Sequence, residues 1–335
     1  MNYVDSVILN YDCYVRIILS KFFWDDRMKN HQEVKPEPVG YWLALAGFLI
    51  LAGPCTTPTV TSAQEVSVPS GVMGADQEGA LALWEAGVVG FSAWTADYPA
   101  ADENHVNALG LPFVIYRGDI LRLGDGSLAR GRFIKTDRIE FDVSFNGSFP
   151  VDSDDNDARK GMPDLDYLGE IGPQLTITLM QGNPKINLAL PVRGVFSSDL
   201  SDIKFRGIVI NPKLMLQHQN IFDAGVLVNL STGPVFATTE LMEYFYGVEP
   251  QFVRSDRPAF DADGGYLGTE LNLGISKLFT DRLRGFAGGR LGYYGGSTNE
   301  DSPLHRRNTN FSFWLGLSWA FYQSDRQEHP QSSKF

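Results

Sequence analysis

The sequence predicts an all-β fold: a transmembrane, antiparallel, up-and-down β-barrel of about twelve strands. Two segments alternate with a period of two residues. From Arg138 to Phe149 one face is apolar and the other is polar, and from Phe311 to Phe321 large apolar residues alternate with Ser312, Trp314, Gly316, Ser318 and Ala320. Successive side chains of a strand point to opposite faces, so each segment has one wholly apolar face. The second segment also has about the ten residues that a tilted strand needs to cross a bilayer.

The two apolar faces are long and continuous. They consist of Ile139, Phe141, Val143, Phe145 and Phe149 in the first segment, and of Phe311, Phe313, Leu315, Leu317, Trp319 and Phe321 in the second. A strand of this kind separates lipid from water, and two of them in one chain indicate a barrel wall.

Composition agrees with a barrel and excludes other classes. The chain has 335 residues, 43% of them hydrophobic, and a mean hydropathy of -0.14. It lacks the continuous apolar runs of a multi-helix membrane protein. The 34 glycines and 12% aromatic residues suit tight walls and interfacial girdles. A net charge of -12 argues against nucleic acid as a partner.

Residues 1–63 are predicted to be a leader that contains a signal peptide. Its apolar core is Tyr41–Gly53, and Thr61, Ser62 and Ala63 form a small-residue cleavage site, so we expect cleavage after Ala63. Lipid attachment at Cys55 is disfavoured because Pro54 precedes it. The residues before Gly40 carry acids and a half-apolar stretch from Val7 to Trp24, which fit poorly as the start of a signal peptide and indicate either a true start at Met28 or a real extension.

The mature chain is then predicted to contain three parts. Residues 64–82 are polar and form a flexible periplasmic N-terminus, residues 83–322 form the barrel, and residues 323–335 form a polar tail. Cys13 and Cys55 both lie in the leader, so neither a disulfide framework nor thiol catalysis is expected in the mature protein.

The barrel segment divides into twelve candidate strands with connections of alternating length. The candidates are Trp84–Thr95, Asn107–Tyr116, Ile120–Leu123, Leu128–Lys135, Arg138–Phe149, Gly169–Met180, Ile186–Phe196, Phe205–Gln217, Phe222–Thr232, Tyr266–Phe279, Arg282–Tyr294 and Asn310–Tyr322. All long connections fall on one side only if the chain turns at Gly124-Asp125-Gly126. Without that turn the count falls to ten or eleven. Four prolines within candidate strands mark bulges or shifted boundaries: Pro112, Pro173, Pro191 and Pro212.

Six segments of the barrel region form a recognisable series: Trp84–Val88, Ala96–Pro99, Leu111–Asp119, Tyr244–Val248, Arg257–Asp261 and Asp301–Leu304. In their residues and their order they resemble the MipA/OmpV family of outer-membrane proteins. The resemblance covers Leu83 to Tyr322 and implies an outer-membrane barrel in a Gram-negative envelope. It also implies a non-enzymatic scaffold for peptidoglycan enzymes, namely a lytic transglycosylase and a murein synthase. Other members are described as adhesins or osmotically regulated proteins, so fold transfers more readily than function.

The last strand resembles the signal that the barrel-assembly machinery reads during biogenesis. Gly316 is followed three and five residues later by Trp319 and Phe321. The alternative interpretation is an ordinary aromatic girdle. Trp314, where a polar residue is usual, and the tail after the strand both depart from the signal.

Residues with catalytic chemistry are sparse, so we expect neither an enzyme nor a cofactor. His105 and His305 lie in outer loops without a serine nucleophile motif nearby. The acidic run that contains Asp152, Asp154, Asp155 and Asp157 begins like a calcium loop, but Pro163 stands where that loop needs glutamate. A solvated acidic loop is therefore favoured over a site for metal ions at the lipopolysaccharide surface.

Two further sets of residues are candidates for function. Charged residues on polar strand faces are expected to line the lumen, either as ion pairs or beside a narrow path: Arg282, Arg284, Arg290, Glu140 and Asp142. An aromatic loop is a candidate binding surface or a lid over the barrel mouth: Tyr244, Phe245, Tyr246 and Phe252. The sequence thus predicts a scaffold embedded in outer-membrane lipid, with a small channel or an adhesin as the alternative.

Overall fold

The computed structural model describes residues 82–117, 121–123, 129–131, 134–136, 138–199, 201–221 and 223–325. The predicted leader, almost all of the predicted periplasmic N-terminus, the Gly124-Asp125-Gly126 turn and the tail after Asp325 lie outside the described residues.

The described chain forms one antiparallel sheet. Its strands are β1 (Trp84–Ala96), β2 (Asn104–Arg117), β3 (Leu121–Leu123), β4 (Ala129–Gly131), β5 (Ile134–Lys135), β6 (Ile139–Ser148), β7 (Tyr167–Met180), β8 (Lys185–Ser198), β9 (Ile203–Ile210), β10 (Lys213–Ile221), β11 (Val226–Ala237), β12 (Gly265–Thr280), β13 (Leu283–Tyr293) and β14 (Thr309–Gln323). They lie in the order β4-β3-β2-β1-β14-β13-β12-β11-β10-β8-β7-β6-β5.

The sheet returns on itself and forms a barrel. The two strands at the ends of this order, β4 and β5, follow each other directly in the chain, and β4 also lies beside β6. β9 and β10 also share one position in the sheet, because each of them pairs with β8 and with β11. The break between them contains Pro212, which lacks a backbone donor. The described strand segments therefore occupy twelve positions, which confirms the predicted all-β barrel.

Side chains alternate between the outside and the inside of the barrel, and the outer side is apolar. On β14 the exposed fraction is 52% for Phe311, 65% for Leu315 and 53% for Phe321, whereas Ser312 and Ser318 are buried inside. Large exposed apolar side chains on every second position indicate contact with lipid.

One aromatic residue differs from its predicted position. Phe149 was expected on the outer face with Phe141, but it is buried, and its ring centroid lies 6.3 Å from that of Phe91 on the inner face of β1. The reason is that β6 ends at Ser148, so strand alternation no longer governs the next residue.

The inner face also carries an apolar cluster that the sequence did not indicate. Its buried members are Val89, Phe113, Ile115, Phe286 and Ala320, and Phe91 and Trp314 pack against them. They come from β1, β2, β13 and β14, which are neighbours in the sheet. This part of the lumen is therefore filled by side chains instead of water.

The connections differ in length at the two ends of the barrel. At one end lie the residues 97–103, 149–166, 238–264 and 294–308, and at the other end the turns are short. The long connections contain one α-helix, α1 (Thr239–Tyr246), and short 3-10 turns at Ser153–Asp155 and Pro250–Phe252. None of the described helices has the length and apolar character needed to cross a membrane.

Candidate functional site

The long connections 97–103, 149–166, 238–264 and 294–308 pack together over one mouth of the barrel, and we call them the cap. The cap has its own apolar core, which continues into the top of the lumen through Leu168, Val195 and Val235. Its fully buried large side chains are Tyr98, Leu165, Met242, Tyr246, Tyr294 and Leu304. A core of this size is typical of a packed domain and differs from solvated loops.

Helix α1 supplies much of the cap core. Leu241, Met242, Phe245 and Tyr246 are its buried residues, and their spacing places them on one face of the helix. The start of α1 lies close against Gly207 of β9, where a β-carbon would stand only 2.2 Å from the Thr238 hydroxyl oxygen. Gly207 has φ +111° as well, so both space and backbone conformation favour glycine there.

Hydrogen bonds join the connections to one another inside the cap. The Tyr246 hydroxyl donates to the Pro99 carbonyl at 2.9 Å, and the Ser302 hydroxyl donates to the Tyr246 carbonyl at 2.8 Å. The Tyr98 hydroxyl donates to the Leu304 carbonyl at 2.9 Å. Because these donors and acceptors are buried, breaking one of the bonds leaves a polar group without water.

A buried arginine lies at the centre of the cap. The Arg159 guanidinium donates to the Ser153 hydroxyl, the Phe245 carbonyl and the Pro163 carbonyl, and it lies 5.8 Å from the centroid of the Tyr98 ring. Burial lowers the pKa of Arg159, because desolvation penalises the charged form. Its role is therefore to satisfy carbonyls of two different connections.

The predicted aromatic loop lies within this packing. Phe245 and Tyr246 are buried, and Phe252 packs against the cap core. Tyr244 accepts a hydrogen bond from the Asp166 backbone at 2.7 Å, its ring lies 4.3 Å from the Arg206 guanidinium, and burial raises its pKa to about 12. The aromatic loop therefore contributes to the cap core, and most of its ring surface is inside the cap.

The acidic run lies on the outside of the cap. Asp152, Asp154, Asp155 and Asp157 are exposed, and the Asp152 carboxylate caps the 3-10 turn by accepting from the Asp154 backbone at 2.9 Å. None of the four belongs to a cluster of potential metal ligands among the described residues.

A different cluster of polar residues lies where β1 enters the cap and β2 leaves it. Asp97 is fully buried, and its Oδ1 lies 2.6 Å from Nδ1 of His105, whose side chain is 30% exposed. Oδ2 of Asp97 accepts from the Asn156 amide at 2.7 Å, and the Asp157 backbone donates to Oε1 of Glu103 at 3.0 Å. Burial raises the pKa of Asp97, and its hydrogen bonds to His105 and Asn156 offset part of that rise.

The predicted lumen charges take different positions. Arg290 is buried, with Nη1 3.7 Å from Oε1 of Glu270, and its Nε donates to Asn272 at 2.9 Å. Asp142 is buried as well, whereas Glu140 and Arg284 are half-buried. Arg282 corrects the prediction: it is exposed in the turn before β13, because that strand begins only at Leu283.

A second buried ion pair was missed by the sequence reasoning. Nε of Arg193 donates to Oε2 of Glu170 at 2.6 Å, and these side chains are only 4% and 11% exposed. Arg193 lies on β8 and Glu170 on the neighbouring strand β7. Opposite charges at polar positions of two adjacent strands are the sequence signal that could have identified the pair.

The space between the cap and the lumen is small. A cavity of about 40 Å³ remains there, and Leu168, Glu170, Val195, Val209, Leu241 and Phe245 contribute to its lining. It has room for only a few water molecules.

The predicted assembly signal lies on both faces of β14. Trp319 and Phe321 are 52% and 53% exposed on the outer face, with ring centroids 6.3 Å apart. Gly316 faces inward, where a β-carbon would stand 2.4 Å from the Phe286 ring. The glycine thus has a packing role that is separate from any recognition of the strand.

Comparison with known proteins identifies a family over most of the barrel. The family of the MltA-interacting protein MipA matches residues 88–321. No curated protein matches the sequence. The structure resembles the NanC porin, with 9% identity, a TM-score of 0.31, and coverage of 70% of this chain and 98% of that chain.

Two other outer-membrane proteins show similar likeness. OprG from Pseudomonas aeruginosa has 13% identity, a TM-score of 0.22, and coverage of 74% of this chain and 100% of that chain. OmpT of Vibrio cholerae has 10% identity, a TM-score of 0.26, and coverage of 74% and 100%.

Proposed function

The chain belongs to the family of the MltA-interacting protein MipA, and we propose that this outer-membrane β-barrel is a non-enzymatic anchor for periplasmic murein enzymes. The partners we infer are a lytic transglycosylase and a murein synthase. The family description supports this choice, since it names an interaction with MltA.

The observation that carries the proposal is the packing that the described residues show inside the barrel. The cap packs over one mouth, Phe91 and Phe286 belong to an apolar cluster in the lumen, and Arg193 and Arg290 are held by buried carboxylates. A pore needs a continuous water-filled path. An anchor needs only a rigid body in the membrane, so this packing among the described residues favours the anchor over the channel.

The end of the barrel opposite the cap is the proposed docking side. Outer-membrane barrels place short turns in the periplasm and long loops outside. That rule places the exposed turn residues Asp223, Asp281 and Arg282 in the periplasm, together with the first residue of β1 and the last residue of β14. Trp84, where β1 begins, therefore lies on the same side as the proposed partners.

Site-specific photocrosslinking in intact envelopes tests the proposal. A photoreactive amino acid at Asp223 or Arg282 should give crosslinks to a lytic transglycosylase or a murein synthase. The same amino acid at Asp261, which is exposed in the cap, is the matched control and should give neither. If murein enzymes are absent from the turn crosslinks, or if the cap position captures them equally, the anchor proposal fails.

A further inference from the structure

We propose that Asp97, Glu103 and His105 form a binding site for a divalent first-row transition-metal ion, represented here by Zn²⁺. Each of the three offers one ligand atom, and these atoms all lie within 4.8 Å of one another. Two carboxylates and one imidazole are a ligand set that such ions accept, whereas Ca²⁺ prefers six to eight oxygen ligands.

The local fold brings the three residues together. β1 and β2 are joined by the connection 97–103, and the Asp97 backbone donates to the Glu103 carbonyl at 3.2 Å across it. Thr95 and His105 are directly opposite each other in the antiparallel ladder, so their side chains lie on the same inner face. Residues eight positions apart in sequence thus meet at the rim of the barrel.

The carboxylates are already held in place by a second connection. The Asn156 amide donates to Asp97, and the Asp157 backbone donates to Glu103. Partners of this kind orient metal ligands in known sites, and their presence reduces the ordering that binding requires. Zinc ligands lie roughly 3.4 Å apart when the bond lengths are about 2.1 Å. Binding therefore requires Nδ1 of His105 to move away from Oδ1 of Asp97, which is now 2.6 Å distant, and half-buried Glu103 to adjust toward the ion.

Two observations indicate that an Asp97–His105 ion pair alone does not explain the cluster. The first is charge: Glu103 brings a second carboxylate beside buried Asp97, and a divalent cation neutralises both. The second is Thr95, which is only 3% exposed. Its hydroxyl has no hydrogen-bond partner among the described residues. Because Thr95 is directly opposite His105 in the ladder, we assign a water bound to the ion as the partner of this hydroxyl.

The position of the site suggests what the ion does. It joins the connection 97–103 to the connection 149–166 through Asn156 and Asp157, so a bound ion stabilises the cap. Partly exposed His105 gives the site access to solvent, so the ion is exchangeable.

The test uses the untagged mature protein in detergent micelles, titrated with Zn²⁺ alone in a calorimeter. We expect one ion per chain with micromolar affinity. His105→Gln and Glu103→Gln should each weaken binding roughly tenfold or more, with Glu103→Gln keeping the acceptor oxygen for Asp157. His305→Gln is the matched control, since His305 lies in the cap outside the cluster, and its affinity should stay unchanged.

A spectroscopic measurement separates binding at this site from binding elsewhere. Cu²⁺ in place of Zn²⁺ should show electron paramagnetic resonance splitting from one imidazole nitrogen, and His105→Gln should abolish it. The proposal is overturned if saturable binding of one ion is absent, or if His305→Gln weakens binding or removes the splitting as strongly as His105→Gln does.

Discussion

Truncation of Tyr246 should release the cap from the barrel mouth. Tyr246 is fully buried, its hydroxyl donates to the Pro99 carbonyl, and its ring contacts those of Tyr98 and Phe245. Tyr246→Ala removes an aromatic core side chain, which costs about 3–5 kcal/mol, and a buried hydrogen bond, which costs about 1 kcal/mol. Tyr246→Phe removes only the hydrogen bond and should cost about 1 kcal/mol.

Limited trypsin digestion in micelles measures this loss. Lys160 is exposed in the cap, but its carbonyl accepts hydrogen bonds from Arg254 and Arg257, so cleavage there requires this part of the cap to open. If opening and closing are fast, the rate follows the free energy of opening, so a loss of about 4–6 kcal/mol accelerates cleavage by roughly three to four orders of magnitude. Val253→Ala is the control. Val253 lies in the same connection as Tyr246 but is exposed, so this substitution should change the cleavage rate little. Equal rates for Tyr246→Ala and Val253→Ala would refute the cap as a packed unit.

Three other changes test the lumen, the cap and the last strand. Glu170→Gln removes the carboxylate beside the buried charge of Arg193, so it should lower the free energy of unfolding by about 3–5 kcal/mol in urea titrations. The double variant that also carries Arg193→Met should recover much of this loss. Burial raises the pKa of Tyr244 to about 12, so the folded cap holds more protons above pH 10 and its stability should fall from pH 10 to 12. The phenolate absorbance that Tyr244→Phe removes should appear together with loss of the cap's near-ultraviolet circular dichroism, not before it. Gly316→Ala should destabilise the refolded barrel by about 1–3 kcal/mol through contact with the Phe286 ring and with the Gly90 carbonyl oxygen. Phe286→Leu should relieve the part due to the ring, and absence of any relief would mean that the ring is not the cause.

The sequence predicted the barrel wall well because lipid imposes a strict pattern on it. Alternation alone predicts the exposed apolar face of β14, and Asp142 and Arg290, on polar strand positions, are buried. Alternation ends where a strand ends, and this is the reason that Phe149 and Arg282 differ from their predicted positions. Pro212 marks the place where β9 gives way to β10, so its effect on a strand was foreseeable.

The cap could not be predicted in the same way, since contacts between distant connections create it. Nothing local indicates that Tyr98 bonds to Leu304 or that Arg159 donates to Phe245. The Asp97 cluster falls between these cases. Once β1 and β2 are recognised as a hairpin, Thr95 and His105 can be paired by counting, but the approach of Asn156 requires the fold.

Conductance of the purified mature protein in planar lipid bilayers tests the central claim, that the barrel crosses the membrane with a closed interior. The packed cap, the apolar cluster around Phe286 and the buried ion pairs predict insertion without steady single-channel currents. A stable ohmic conductance from the unmodified protein would contradict the closed barrel and favour the channel.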